Sequence, residues 1–418
     1  MKYPTLFIII AVTVLACQPK QERAATNVIS IGTIDSLYSE VLQEQRHVWV
    51  YVPENIGNGA VYGKSTYPVL YLLDGDAHFL SVVGMIHQLS SINGNTISPE
   101  MIVVGIVNTD RTRDLTPTHV ASVDGDTTFS KTSGGAEQFT KYIQDELIPY
   151  IDQHYPTTPH RTLVGHSLGG LFAVNTLLYH PDLFANYLAI DPSLWWDNQK
   201  LMKEAETILT ENRYDKKSLY VAIANTMKDG MQLSDLKDDT TKFTEHIRSI
   251  LQFSETAKAK TNNGLNVEWK YYAEDDHGSI PLIAEYDALR FLYSWYKLDD
   301  LSKYFDPASK ATAAEVVTVI TNHYKNVSDH LGYTVLPQES FVNGLAYAFM
   351  GNNKDIAFAL FQLNVDNYPK SSNVFDSMGD YYAAQQDTVH AIENFAKALT
   401  LADAPHTKAK LKAMKGEK

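Results

Sequence analysis

The sequence predicts an α/β fold, a mostly parallel sheet with helices on both faces, followed by a small all-α domain. Short β-prone apolar runs alternate with amphipathic stretches from Val28 to about residue 300. A glycine-rich segment at 165–170 sits between an apolar strand and an apolar helix. Beyond residue 340 the patterning is wholly helical and repeats itself. The length of 418 residues suits two or three domains on a prior of roughly 150 residues each. With 44% hydrophobic and 11% aromatic residues the chain can bury a sizeable core, which excludes disorder as a whole-chain description. The net charge of −14 argues against nucleic acid or an anionic membrane surface as a charge-driven partner.

Taken in order, the chain opens with an apolar run, Leu6 to Ala16, broken only by Thr13. It has the length of a signal-peptide core and is too short to span a bilayer. The sole cysteine, Cys17, follows it, so neither an intramolecular disulfide nor a four-cysteine metal site can form. Val14-Leu15-Ala16-Cys17 resembles a bacterial lipobox, although Leu15 is bulkier than that pattern usually carries. The resemblance implies a signal peptide over 1–16, acylation of Cys17, a polar tether over 17–27, and a protein held at the cell envelope by its lipid. Ile29 to Ile34 and Arg46 to Val52 read as opening strands, and buried strands are expected at Tyr67 to Leu73 and Met101 to Val107. Helical spacing marks Phe79 to Leu89 and Ala136 to His154, the latter with Phe139, Tyr142, Ile143, Leu147 and Ile151 on one stripe. Ligands of such sheets collect at the carboxyl ends of the strands.

The chemistry is concentrated in Val164-Gly165-His166-Ser167-Leu168-Gly169-Gly170. Gly-x-Ser-x-Gly alone is a weak signal, but between a strand and a helix it reads as a sharp turn that exposes a serine above the sheet. A serine hydroxyl needs a base within hydrogen-bond reach and donors for the oxyanion that forms. Of 14 histidines, His277 stands on a loop after the last expected strand, Val267 to Tyr272, where that base belongs. His166 reads as a packing or rim residue, and His78, His87 and His180 as structural. No His-Glu-x-x-His or comparable spacing occurs, so neither a catalytic metal nor a cofactor is indicated.

Four blocks in order are similar to the Putative esterase family of the α/β-hydrolase fold, which includes siderophore, feruloyl and acetyl-xylan esterases and S-formylglutathione hydrolase. Tyr71-Leu72-Leu73-Asp74-Gly75 resembles its strand before the oxyanion loop and Val164 to Gly170 its nucleophile elbow. Asp191-Pro192-Ser193-Leu194-Trp195-Trp196 resembles its post-elbow loop and Asp276-His277-Gly278-Ser279 its histidine loop. Asn108 to Pro117 is similar to a segment of the siderophore-esterase-like branch that lies near the active-site cleft. The resemblance covers about Val28 to Leu298. It implies Ser167 as nucleophile, His277 as general base and then acid, and the backbone amides of Gly75 and Leu168 as the oxyanion hole. The acid is less plain, because the strand Leu219 to Ala224 leads into Asn225-Thr226-Met227-Lys228-Asp229. Asp229 is the first choice, with Asp235 and Glu274 behind it, Asp191 a further option, and a serine-histidine dyad compatible with the family. Arg111, Trp195 and Trp196 are expected at the rim of the substrate pocket. The substrate is then a small-molecule or glycan-linked carboxylic ester. The rival reading is a non-catalytic envelope scaffold or binding lipoprotein.

After the hydrolase segment, 28–300, a linker and an amphipathic helix occupy 301–340. Within 341–402, Gly344 and Gly379 are 35 residues apart, as are Tyr347 and Tyr382, while Ala357 and Ala391, and Phe361 and Phe395, are 34 apart. Small residues at that period resemble tetratricopeptide repeats. Two such repeats are expected to pack on the preceding helix or the hydrolase, as a groove for a protein partner or as a stabilising appendix. Residues 403–418 read as a Lys-rich solvated tail.

Overall fold

The computed structural model describes residues 29–53, 66–260, 262–306 and 309–417. The expected signal peptide, Cys17 and the whole tether lie outside them. From Gly32 onward the chain forms one compact unit. Its sheet takes the order β1-β2-β4-β3-β5-β6-β7-β8. The strands are β1 Thr33–Ser39, β2 Glu44–Tyr51, β3 Tyr67–Leu72, β4 Ile102–Ile106, β5 Thr157–His166, β6 Asn186–Ile190, β7 Ser218–Ala224 and β8 Asn266–Tyr272. β2 pairs antiparallel with β1 and with β4, and every later pairing is parallel.

The interior strands are the ones most legible from composition, because β3, β4 and β6 are buried along their whole length and carry unbroken apolar runs. β1 differs from expectation, starting at Thr33 rather than Ile29. Its bounds are set by pairing with β2, from Thr33 opposite Val50 to Ser39 opposite Glu44, and an edge strand needs no continuous apolar run. Parallel strands require crossovers, and the amphipathic stretches supply them. α1 (Gly75–Ser90) buries Phe79, Val82, Val83, Ile86 and Leu89 on one stripe. With α6 (Ile280–Leu292) it covers one face of the sheet. α3 (Leu168–Tyr179), α4 (Trp196–Glu211) and α5 (Glu245–Ala259) cover the other. The helix expected over 136–154 is continuous but contains a π-helical stretch, Ile143–Leu147, between Ala136–Tyr142 and Ile148–His154.

Glu285 on α6 breaks the apolar pattern of its layer. It is 2% exposed, and neither carboxyl oxygen has a hydrogen-bond partner. Burial pushes its carboxyl up to about 8 from an ordinary 4.5. The folded chain therefore keeps a proton that the unfolded chain has released. Stability is complete below the ordinary value and falls as pH climbs toward the raised one, by about 1.4 kcal/mol per pH unit. Glu285→Gln removes this dependence. Paired thermal melts are expected to show the variant gaining more Tm over the native chain at about pH 8.5 than at about pH 5. Equal differences at both pH values would contradict the assignment.

The C-terminal region is all helical. It comprises α7 (Ala313–Leu331), α8 (Glu339–Phe349), α9 (Lys354–Asn367), α10 (Ser372–Ala384), α11 (Thr388–Leu401) and α12 (Pro405–Lys415). The 34–35-residue period falls on two successive hairpins, α8–α9 and α10–α11. Gly379 is small because any Cβ there would stand 2.5 Å from the Phe395 ring. The apolar cluster of this region includes Leu301, Val316 and Ile320, so part of the expected linker belongs to its core. It docks on the sheet domain through the Trp295 indole, which stacks on His330 at 4.4 Å between ring centroids.

The expected solvated tail is mostly exposed, but it is helical and not extended. Within 403–418, α12 packs back on the repeats: Thr407 Oγ1 donates to Asp376 Oδ1 at 2.7 Å, and Lys410 Nζ donates to Asp376 at 2.6 Å and Asp380 at 2.7 Å. The lysine pattern concealed this because one lysine head can lie over an aromatic ring, here Phe395 at 5.6 Å, while it meets carboxylates presented one turn apart. Among the described residues, no helix is long and apolar enough to cross a membrane.

Candidate active site

The site is assembled at the carboxyl ends of β3, β5 and β6, where the chain must turn sharply out of the sheet. Three non-glycine residues there hold positive φ: Asp74 at 53°, Ser167 at 60° and Asp191 at 40°. Such backbone persists only where the surroundings over-determine it. At Ser167 they do: its amide donates to Ile190 O at 2.9 Å, and its carbonyl accepts from Ser193 N at 3.0 Å and Leu171 N at 3.0 Å. A Cβ on Gly165 would lie 2.2 Å from Gly169 O, so strand and helix can approach only across glycine.

Ser167, His277 and Asp191 form a continuous hydrogen-bonded row. Ser167 Oγ lies 3.1 Å from His277 Nε2, and His277 Nδ1 lies 2.6 Å from Asp191 Oδ2. The hydrogen-bond network assigns the His277 proton to Nδ1, donating to the carboxylate, and leaves Nε2 to accept from the serine. His277 is set by its loop, where Asp276 Oδ1 accepts from the amides of Gly278 and Ser279, both at 2.9 Å. Asp191 is fully buried. Although burial works to raise its pKa, hydrogen bonds from His246 and His277 and from the Ala224 amide hold the carboxyl well below the usual range.

This corrects the expected acid. Asp229 lies exposed in the loop beyond β7, and the carboxylate against His277 is that of Asp191, the further option. The two strand ends run level, with Ile190 opposite Ala222, so spacing along the chain could not decide between them. Two other neighbours were not among the expected site residues. His246, at the start of α5, donates from Nε2 to Asp191 Oδ2 at 2.8 Å, and Ser193 Oγ lies 3.3 Å from Ser167 Oγ. His166 packs as expected, its ring 4.5 Å from that of His277, and burial pushes its pKa down to about 4.

Gly75 and Leu168 open α1 and α3, so their amides belong to first turns, which lack intrahelical acceptors. The segments carrying them touch, since Leu73 N donates to Val164 O at 2.9 Å and a Cβ on Gly169 would meet Leu73 Cβ at 3.4 Å. Arg111, on α2 (Arg111–Leu115), holds this corner together. Its Nε and Nη2 donate to Asp74 at 2.6 and 2.9 Å, and Nη2 also donates to His166 O at 3.2 Å. Burial alone would raise the Asp74 pKa, but the Arg111 guanidinium, with Asn108, draws it below the ordinary value. α2 is anchored in turn by the buried Arg46–Asp114 pair at 2.7 Å.

A cleft of about 810 Å³ is lined by His119, Trp195, Lys242, Phe243 and His246 among others; Ser167 and His277 are not in its walls, and it is joined to the row through His246, which bonds Asp191. Trp195 lines this cleft. Trp196 does not: it is 2% exposed and its Nε1 donates to Thr118 O at 3.1 Å, so it belongs to the core. An indole beside another in sequence gives no sign of which one turns inward. Among the described residues, ligand atoms of Asp191, His246 and His277 lie within 4.8 Å of one another. Each histidine already donates to the carboxylate, and we read the cluster as a hydrogen-bond network.

The family described as "Putative esterase" matches residues 39–275. A siderophore enterobactin esterase of Emericella nidulans is 27% identical over 254 residues, covering 53% of this chain and 80% of that protein. The ferri-bacillibactin esterase BesA of Bacillus subtilis is 28% identical over 242 residues, covering 54% and 78%. Among solved structures, an IroE-like serine hydrolase from Shewanella oneidensis superposes with a TM-score of 0.61 at 27% identity, covering 89% of this chain and all of that one. A protein from Capnocytophaga ochracea shares the fold over 92% of this chain, with a TM-score of 0.62 at 16% identity.

Proposed function

Because the chain belongs to the Putative esterase family, whose relatives hydrolyse esters, we propose that it cleaves a small-molecule carboxylic ester through an acyl-enzyme on Ser167. The observation that carries this reading is the row from Ser167 Oγ through His277 to Asp191, set on a strained elbow at a strand end. With the Nδ1 proton of His277 held by Asp191, Nε2 takes the Ser167 proton as Oγ attacks the ester carbonyl carbon. The oxyanion that forms is met by the amides of Gly75 and Leu168. Collapse breaks the carbonyl–oxygen bond of the ester, and the proton on Nε2 passes to the departing alkoxide. Water, giving a proton to Nε2, then attacks the acyl carbon, and that proton returns to Ser167 Oγ as the acid leaves.

The siderophore esterases among its relatives favour a siderophore-type ester, with Trp195 and Phe243 in the cleft as faces for an aromatic group. An anchor at Cys17, which would place the enzyme at the cell envelope, rests on the lipobox resemblance. The test combines a fluorophosphonate probe, mapped by peptide analysis, with an ester panel of catecholate trilactones, feruloyl and acetyl sugars, and short acyl chains. Labelling at Ser167 and fastest turnover of the trilactones are expected. A silent probe together with an inert panel would turn the reading toward the non-catalytic scaffold.

A further inference from the structure

Asp191 is served by more donors than one catalytic histidine requires. Its Oδ1 accepts from Ala224 N at 3.0 Å, and its Oδ2 accepts from His277 Nδ1 at 2.6 Å and from His246 Nε2 at 2.8 Å. The donors come from three separate elements: the end of β7, the first turn of α5, and the loop after β8. The two imidazoles also meet edge to face, 5.5 Å between centroids and 80° between planes. His246 Nδ1 is buried without a hydrogen-bond partner. A buried lone pair costs less than a buried N–H lacking an acceptor, which places the His246 proton on Nε2, aimed at Asp191.

We infer that His246 is a positioning residue of this site: its Nε2–H fixes the Asp191 carboxylate and moderates how strongly that carboxylate draws a proton onto His277. The inference rests on the acyl-enzyme reading above. A carboxylate bonded only to His277 and one amide can swing about its last torsion, whereas a third donor arriving from α5 closes that freedom. The same donor takes up part of the negative charge that stabilises the His277 imidazolium. Without it, more of the carboxylate charge would fall on His277, and the imidazolium would give its proton to the leaving group less readily. The other charged and titratable groups around the cleft that His246 lines are His119, Asp124, Asp197, Lys242 and Glu245. His166 lies against the His277 ring, and Asp276 precedes it in the loop. None of these reaches Asp191 by a hydrogen bond among those of the described residues.

Two measurements on the full chain test this. In steady-state kinetics with the best ester of the panel, His246→Phe is expected to lower kcat about 10-fold with KM within about twofold. It should also move the acid limb of kcat/KM upward by about one pH unit. His246→Gln, whose amide N–H can still reach Asp191, should restore most of kcat and the position of the limb. A merely structural role would lower kcat in step with Tm, leave the limb in place, and show no rescue by glutamine; that pattern would overturn the inference. The second measurement is independent of turnover. Spectra of the 15N-histidine-labelled chain should show two downfield imidazole N–H protons on carboxylate, and His246→Phe should remove one and displace the other. An undisplaced second signal would also overturn the inference. A displaced signal in a chain that neither labels nor turns over would retire the acyl-enzyme reading and leave the coupling standing.

Discussion

Ser167→Ala is expected to abolish ester hydrolysis, lowering kcat by roughly 10⁶-fold, and to abolish fluorophosphonate labelling with it. The loss is large because the hydroxyl is the atom that forms the covalent bond, and neither His277 nor the helix-start amides can replace it. The serine side chain makes few structural contacts: its Oγ meets His277 and, at 3.3 Å, Ser193 Oγ, while its turn is held by backbone bonds. The variant should therefore melt close to the native temperature, and alanine inherits the same strained φ at no added cost. Turnover within about 100-fold of native, or persistent probe labelling, would remove Ser167 from the chemistry.

Asp191→Asn is expected to cost about 10⁴-fold in kcat, whereas Asp229→Asn should leave kcat within about twofold of native. An amide at 191 keeps the shape but offers one oxygen and an NH₂ in place of a carboxylate. Turned toward His277, the NH₂ would favour the tautomer with its proton on Nε2, where it faces Ser167 and blocks acceptance of the serine proton. Asp229 has no hydrogen bond to the row and sits in solvent. Kinetics of the two variants side by side decide the matter, and a reversed pattern would return the acid to Asp229. Because Asp191 is fully buried among three donors, some loss of Tm in its variant is expected, and labelling rates normalised to folded protein separate that loss from the chemistry.

How much of this was legible beforehand differs from residue to residue. Ser167 and His277 could be placed because each occupies a local pattern with a local physical cause: two glycines allow the elbow, and Asp276-His277-Gly278-Ser279 makes its own turn. Gly75 and Leu168 entered only through the family resemblance, since helical spacing marked the first helix from Phe79 and not from Gly75, where the structure starts it. Trp195 and Trp196 were not separable, since adjacent indoles differ only in which one the packed layer accepts. Asp191 was legible as an option but not as the choice. His246 was invisible, lying 55 residues from the carboxylate it serves, in a helix whose opening turn looks like any other.

By itself the sequence determined the alternation of strands and helices, the local turns that carry Ser167 and His277, and the all-helical character of the C-terminal region. Each of these follows from contacts between residues near in the chain or from the burial of unbroken apolar runs. Only the tertiary structure decided which acid faces His277, which tryptophan turns inward, and that the lysine-rich end folds back as a helix on Asp376 and Asp380. Those outcomes depend on where separate strand ends and helix faces come to rest against one another. A side chain's partner across such a junction is fixed by packing in three dimensions, and spacing along the chain carries no record of it.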